Sequence, residues 1–171
     1  MFDELVAEDM GIVKFSDLMK QVMAQYLPRE FVIFGDPAGD HRVQTDESTP
    51  FQIMRGKGLF ARPAPSNDVT LRLESVSSVL NRMVDGESGM IVDRKCNNLI
   101  KGFTGGYHYR RLQVSGERYD EKPNKNRFSH VHDALQYLLL GAGEGRALTI
   151  GNKSNKPCLL YTSDAADELC R

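Results

Sequence analysis

Two aspartates stand where the side chains of a phosphodiester-cleaving metal site could meet. Asp36 comes directly after the apolar run 31–34 and Gly35, and Asp133 lies in the first turn of a helix-like segment late in the chain. Ligands gather at the carboxyl ends of strands in parallel sheets, and a helix N-terminus favours a carboxylate. Carboxylates that converge from different elements can hold Mg²⁺ or Mn²⁺ and support phosphodiester hydrolysis. A plainer reading stays open, in which Asp36 shapes a turn and Asp133 only begins a helix.

Four neighbouring side chains could take part in such a site. Asp40 is close enough to Asp36 in sequence to be an alternate metal ligand, or else a solvated loop residue. His130 and His132 flank the start of the last helix, where either could orient a water, bind phosphate or cap the helix. Asp93 also ends a strand-like run and is the alternative to Asp36, although we expect a structural use for it.

The stretch from Asp93 to Arg127 is basic, although the whole chain carries a net charge of −1. It holds nine Lys or Arg side chains against four acids, a local charge of +5, with tyrosines interleaved. Such a run suits contact with a nucleic-acid backbone without reading of bases, and a solvated hairpin is the alternative. We predict DNA contact by Arg94, Lys95, Lys101, Arg110, Arg111, Lys122, Lys125 and Arg127.

The elements that must position these residues alternate in the first half of the chain. Alternating or continuous apolar runs predict strands over 2–7, 31–34 and 59–62. Apolar residues three and four apart, with capping or terminating residues at their ends, predict helices over 13–27, from Thr49 to Gly56 or Gly58, and from Asn67 or Asp68 to just before Asp85. This order is typical of an α/β fold with crossover connections.

The second half of the chain departs from that alternation. Strand-like runs cover 90–92, 99–103 and 107–114, and Thr104-Gly105-Gly106 predicts a hairpin turn between the last two. Residues 115–128 are polar and are predicted to be a loop. Ser129 is then expected to cap a final helix that Gly141 closes.

Composition indicates one soluble domain. The chain has 171 residues, of which 40% are hydrophobic and 26% charged, enough for a single domain with a proper core. No apolar run approaches the roughly 18 residues of a membrane span, and the N-terminus lacks the pattern of a signal peptide. The three cysteines form no CxxC pair, which favours a reducing setting over a disulfide framework.

Residues 158–171 are expected to be foreign to the protein. Their sequence, CLLYTSDAADELCR, can be written in codons that resemble a transposase adapter used in sequencing libraries. We therefore exclude this tail from the fold and take residues 1–157 as the domain. The alternative is a real helical tail that Ser163 caps.

Four segments, in this order, resemble the nuclease domain of tailed-phage terminase large subunits. They are 34–40 (FGDPAGD), 91–96 (IVDRKC), 102–107 (GFTGGY) and 129–137 (SHVHDALQY), and the similarity covers residues 1–145. The resemblance implies a ribonuclease-H-like mixed sheet flanked by helices, with an appended β-hairpin and three acids around two Mg²⁺ or Mn²⁺ ions. Asp36 matches the second acid and Asp133 the third.

The resemblance also implies what the intact protein would do. It would cut concatemeric viral double-stranded DNA during packaging, in the host cytoplasm, with the portal protein and the terminase small subunit as partners. The first acid and the ATPase half of the motor have no counterpart in this sequence, so we expect an N-terminally truncated nuclease domain with little or no activity. The alternatives are another ribonuclease-H-like nuclease, of the resolvase or integrase type, and a non-catalytic domain that docks DNA or the portal.

Overall fold

The computed structural model describes residues 1–40, 48–111 and 118–144, which form a mixed α/β structure. Its α-helices are α1 (Ile12–Ala24), α2 (Pro50–Gly56), α3 (Val69–Leu80), α4 (Asn97–Lys101) and α5 (Ser129–Gly141). Its strands are β1 (Ile33–Gly35), β2 (Ala61–Pro63), β3 (Met83–Val84), β4 (Glu87–Ser88), β5 (Tyr109–Arg111) and β6 (Tyr119–Pro123). None of the helices in these three ranges has the length and hydropathy to cross a bilayer.

From α1 onwards, the first half of the chain follows the predicted alternation of helices and strands. β1 and β2 are parallel, with Ile33 opposite Ala61 and Gly35 opposite Pro63, and α2 makes the crossover between them. Helix α2 begins with a capping box, because Thr49 and Gln52 each accept a hydrogen bond from the other's backbone N–H. A 3₁₀ turn, Pro37–Asp40, carries the chain away from the end of β1.

The first core lies between this parallel pair and the helices α1 and α2. Its buried residues come from α2 and β2, and partly buried side chains of α1 and β1 pack on them. Asp68 caps α3 by accepting a hydrogen bond from the backbone N–H of Leu71. The predicted strand over 2–7 is absent: this segment has no regular secondary structure and joins no sheet.

The second core lies where α4 meets α5, and it shows the largest departure from the predictions. Residues 99–103, predicted as a strand, form the end of α4 and the start of a π-helical turn, Gly102–Gly106. The cause is a distant residue: the carboxylate of Glu4 accepts hydrogen bonds from the backbone N–H groups of Asn98 and Leu99 and so caps α4. Leu99 is fully buried against Leu135 and Cys96.

The basic hairpin therefore begins later than predicted, at Tyr109, and the predicted strand residues 112–114 lie outside the described residues. β5 and β6 are antiparallel, and residues 119–123, predicted as loop, form β6. The Thr104-Gly105-Gly106 turn is part of the π-helical turn instead, and residues 90–92 belong to no strand. The strands pair two by two, so the ribonuclease-H-like mixed sheet stays a prediction. The predicted tail, 158–171, lies outside the described residues.

Candidate functional site

The carboxylate of Asp133 lies between two cations. Arg72 Nη1, on α3, is 3.3 Å from Asp133 Oδ1, and Lys125 Nζ, just before α5, is 2.5 Å from Asp133 Oδ2. The two partners differ in environment, since the side chain of Arg72 is 8% exposed and that of Lys125 is 70% exposed. Asp133 itself is 17% exposed. The charge of Asp133 is thus balanced on its buried side by Arg72 and on its solvent side by Lys125.

Arg72 is held by the packing of α3 against α5. Its guanidinium lies 4.7 Å from the centre of the Tyr137 ring, one helical turn beyond Asp133 on the same side of α5. The Nε atom of Arg72 is buried and has no hydrogen-bond partner among the described residues. The pairing with Asp133 and the stacking on Tyr137 offset the cost of removing the Arg72 guanidinium from water.

Asp36 reaches the same region from the end of β1. Its Oδ1 accepts a hydrogen bond from the backbone N–H of Ala38 at 2.9 Å, which closes the turn after the strand. The hydroxyl of Tyr137 donates to Asn67 Oδ1 at 2.6 Å. Burial, followed by the interaction with the Asp36 carboxylate, raises the pKa of Tyr137, and the charge of Asp133 raises it further. The Tyr137 phenol is thus within the electrostatic influence of both predicted catalytic acids, although its hydroxyl bonds to Asn67.

Close packing of α5 on β1 brings the strand that ends before Asp36 against the helix that carries Asp133. A Cβ placed on Gly141 would lie 2.3 Å from the ring of Phe34, so only glycine allows the helix to approach this strand. Phe34 precedes Asp36 by two residues, and Gly141 follows Tyr137 by one helical turn. The approach at Gly141 thus fixes the distance between the end of β1 and the side chains on this face of α5.

The other residues predicted around the metal lie elsewhere. Asp40 ends the 3₁₀ turn, is exposed, and bonds to no other described residue. His130 is exposed and lines a cavity with Phe15, Ala134 and Leu138, on a different face of α5 from Asp133. Asp93 accepts a hydrogen bond from the backbone N–H of Lys95 and shapes a turn, as its structural reading expects.

His132 is buried among aromatic rings. It stacks on Tyr107 with ring centres 4.6 Å apart and meets the edge of Phe103 at 4.7 Å. Burial lowers the pKa of His132, against smaller raising effects from the Leu99 carbonyl and from Asp133. Its Nε2 has no partner among the described residues. We therefore assign His132 to packing behind Asp133 and not to contact with a ligand.

Three residues of the site were not predicted from the sequence: Arg72, Tyr107 and Gln136. Gln136 Nε2 donates to the Tyr107 hydroxyl at 3.0 Å, and burial raises the pKa of Tyr107 while Gln136 lowers it. One signal for Arg72 was present, because it lies three residues after Val69, on the helix face predicted to be apolar. An arginine in an apolar stripe calls for a carboxylate partner.

The residues predicted to contact DNA are all exposed, and the structure distributes them over two regions. Arg110, Arg111 and Lys122 lie on the β5–β6 pair, with Lys125 and Arg127 in the segment that leads from it into α5. The remaining three lie at the two ends of α4: Arg94 and Lys95 in the turn before it, and Lys101 in its last turn. The Arg127 guanidinium lies 5.2 Å from the centre of the Phe128 ring.

The carboxylates of this site fit one divalent cation better than two. Mg²⁺ and Mn²⁺ prefer oxygen ligands and keep several waters, so Asp36 and Asp133 could hold one ion between them. Lys125 would have to leave Asp133 Oδ2, which its exposed side chain can do. The described parts of the chain bring no third His, Cys, Asp or Glu to these two. A second ion would need a further acid.

Comparison with known proteins gives no family for this chain. No family model, curated protein or solved structure matches it.

Proposed function

We propose that this chain is part of the metal-dependent DNA endonuclease domain of a phage packaging terminase, with a ribonuclease-H-like fold. The observation that carries the proposal is the packing of α5, which carries Asp133, against β1, which ends one residue before Asp36. The two residues are 97 positions apart, and the terminase-like motifs supply both. The substrate would be viral double-stranded DNA, and the portal protein and terminase small subunit would be partners.

Each side chain of the site has a task in this proposal. Asp36 and Asp133 would hold Mg²⁺ or Mn²⁺, which would activate a water and stabilise the leaving oxygen of the phosphodiester. Arg72 pairs with the Asp133 carboxylate and orients it from the buried side. The basic residues of the β5–β6 pair would hold the phosphate backbone without reading bases, as a cutter of many sequences requires.

A non-catalytic DNA-docking domain is the second candidate, and one observation favours it. Both oxygens of Asp133 already have cationic partners within the chain, as in a structural ion pair. In this case, Asp133 would serve to place Lys125 beside the basic hairpin, and the surface would bind DNA without cutting it.

Binding of Mn²⁺ distinguishes the two candidates. We expect titration calorimetry to show Mn²⁺ binding to the full chain, and Asp36→Asn to abolish it without unfolding the protein, because Asp36 is exposed. Asp40→Asn is the matched control and should bind as the wild type does. Equal Mn²⁺ binding by wild type and Asp36→Asn would defeat the metal-site proposal. DNA binding with no Mn²⁺ binding at all would favour the docking domain.

Cleavage is a separate readout. We expect little or no plasmid nicking by this chain, since it supplies two acids where the terminase family uses three. In an intact homologue, alanine at the position matching Asp36 or Asp133 should abolish nicking and leave DNA binding in place. Retained nicking in such a variant would remove those residues from the catalytic set.

A further inference from the structure

One face of the β1–β2 pair is covered along only part of its length. Ile33 and Ala61 point to the first core. Phe34 and Arg62, next along the strands, point to the opposite face, where Phe34 meets Gly141 of α5 and the Arg62 guanidinium lies 4.6 Å from its ring centre. The residues one step before Ile33 and Ala61, Val32 and Phe60, lie just outside the strands. Phe60 is at the centre of a tight turn in which the Ala61 N–H donates to the Leu59 carbonyl.

Those earlier residues are large, apolar and solvent-exposed. Val32 is 49% exposed and Phe60 is 79% exposed, and Leu27, after α1, is 70% exposed. All three line one groove of about 670 Å³ at the start of the strands. A contiguous exposed patch of this kind marks an association surface more often than isolated apolar residues do.

Arginines surround this Phe60 groove, which is lined by Leu27, Val32 and Phe60. Arg29, Arg55 and Arg62 border it, with Glu30 as the acid. None of the three guanidiniums forms an ion pair with a carboxylate within residues 1–40, 48–111 and 118–144. The groove therefore combines an apolar floor with a net positive rim.

The outer edge of β2, beside the groove, is closed to strand addition. The carbonyl oxygen of Ala61, on β2, accepts a hydrogen bond from Arg55 Nε at 2.7 Å. Pro63, two residues on, has no N–H to donate. A partner must therefore bind through side chains, and the arginines and Phe60 decide which side chains fit.

We propose that the Phe60 groove docks a segment of another protein in which apolar side chains alternate with carboxylates. Charge separates this occupant from two others. The chain's own segment 145–157 carries Arg146, Lys153 and Lys156 and no acid, and a second copy would bring the same arginines. The acids Asp164, Asp167 and Glu168 belong to the tail 158–171, which is expected to be foreign to the protein. The groove lies at the starts of the strands and Asp36 follows the end of β1, so docking leaves the Asp36–Asp133 region accessible.

The test uses the full chain and a fluorescein-labelled peptide of alternating Leu and Glu, followed by fluorescence polarisation. We expect saturable binding that weakens with added salt, and about tenfold weaker binding of the matched Leu and Gln peptide. Phe60→Ser and Arg62→Gln should each weaken binding of the Leu and Glu peptide about tenfold. Met83→Ser, which alters an exposed apolar residue on β3, is the control and should change nothing.

Four results would overturn the proposal. Equal affinity for the two peptides would show that the charge of the groove plays no part in binding. An unchanged affinity of Phe60→Ser would show that the peptide does not bind in the groove. A dimer in light scattering that Phe60→Ser abolishes would assign the groove to a second copy. A variant with Leu148→Ser and Ile150→Ser that binds the peptide about tenfold more tightly than wild type would assign the groove to the chain's own segment.

Discussion

Lys125 and Asp133 form an ion pair across the junction between the basic hairpin and α5. The pair joins the surface proposed to hold phosphates to the carboxylate proposed to hold a metal ion. Its exposed member can leave: Lys125 is surrounded by water, whereas the opposite side of Asp133 is closed by Arg72. A cation that binds Asp133 must displace Lys125, and a bound phosphate would attract the released ammonium.

The first prediction concerns this competition and rests on the proposed metal site. Lys125→Met removes the competing cation but keeps an unbranched side chain of similar length. We expect Mn²⁺ to bind about fivefold more tightly to this variant. In the wild type the ion must first break the Lys125–Asp133 ion pair, and an ion pair near the surface is worth on the order of 1 kcal/mol. Titration calorimetry measures the change. Lys122→Met, on β6, is the control, and an unchanged affinity in Lys125→Met would mean that the two cations do not compete.

The second prediction compares the two partners of Asp133 by their effect on stability. Asp133→Ala leaves Arg72 buried without its carboxylate, so we expect the free energy of unfolding to fall by about 3 kcal/mol. Lys125→Met breaks only the exposed half of the arrangement and should cost less than about 1 kcal/mol. Urea denaturation of both variants provides the measurement. Equal losses would show that Arg72 is not buried as the structure has it.

The third prediction is a pH dependence that originates at His132. Burial lowers the pKa of this histidine in the folded protein, so the unfolded chain takes up a proton first as the pH falls. The stability due to neutral His132 is therefore complete above the unfolded value of about 6.5, and it is lost as the pH falls from there towards the lowered folded value. Below the folded value the loss levels off.

Urea denaturation between pH 7.5 and 5 measures this slope. We expect His132→Gln to be less stable than the wild type at pH 7.5. Its free energy of unfolding should change less between pH 7.5 and 5, because the variant has no imidazole to titrate. His130→Gln, at the exposed position two residues earlier, should keep the slope of the wild type. A wild-type slope in His132→Gln would assign the pH dependence to other groups.

The sequence predicted a helix or strand correctly where the residues that begin and end the element lie next to it in the chain. Thr49 with Pro50 placed the start of α2, and Asp68 placed that of α3, since a capping side chain satisfies backbone groups a few residues away. The end of β1 and the position of Asp36 followed from an apolar run bounded by glycine and proline. The parallel pairing of β1 and β2 was confirmed as well.

Prediction from the sequence was wrong or incomplete where a residue far away in the chain determines the local structure. Leu99 and Ile100 fit a strand by type, but Glu4 supplies the cap that starts a helix there, 94 residues away from Asn98. No window of neighbouring residues contains that information. Arg72 was missed for a related reason: its significance depends on Asp133, 61 residues later, and on the stacking against Tyr137.

The fourth prediction tests the packing behind the site through Gly102, in the π-helical turn. A Cβ at this position would lie 1.8 Å from His132 Nε2, and the ring cannot retreat because Tyr107 stacks on it. We expect Gly102→Ala to lower the free energy of unfolding by about 3 kcal/mol, in the range of overpacked cores. Gly56→Ala is the matched control, since a Cβ there meets no atom within 4 Å and alanine suits the end of α2. Thermal denaturation should separate the two by several degrees, and equal melting temperatures would mean that α5 does not approach the turn at His132.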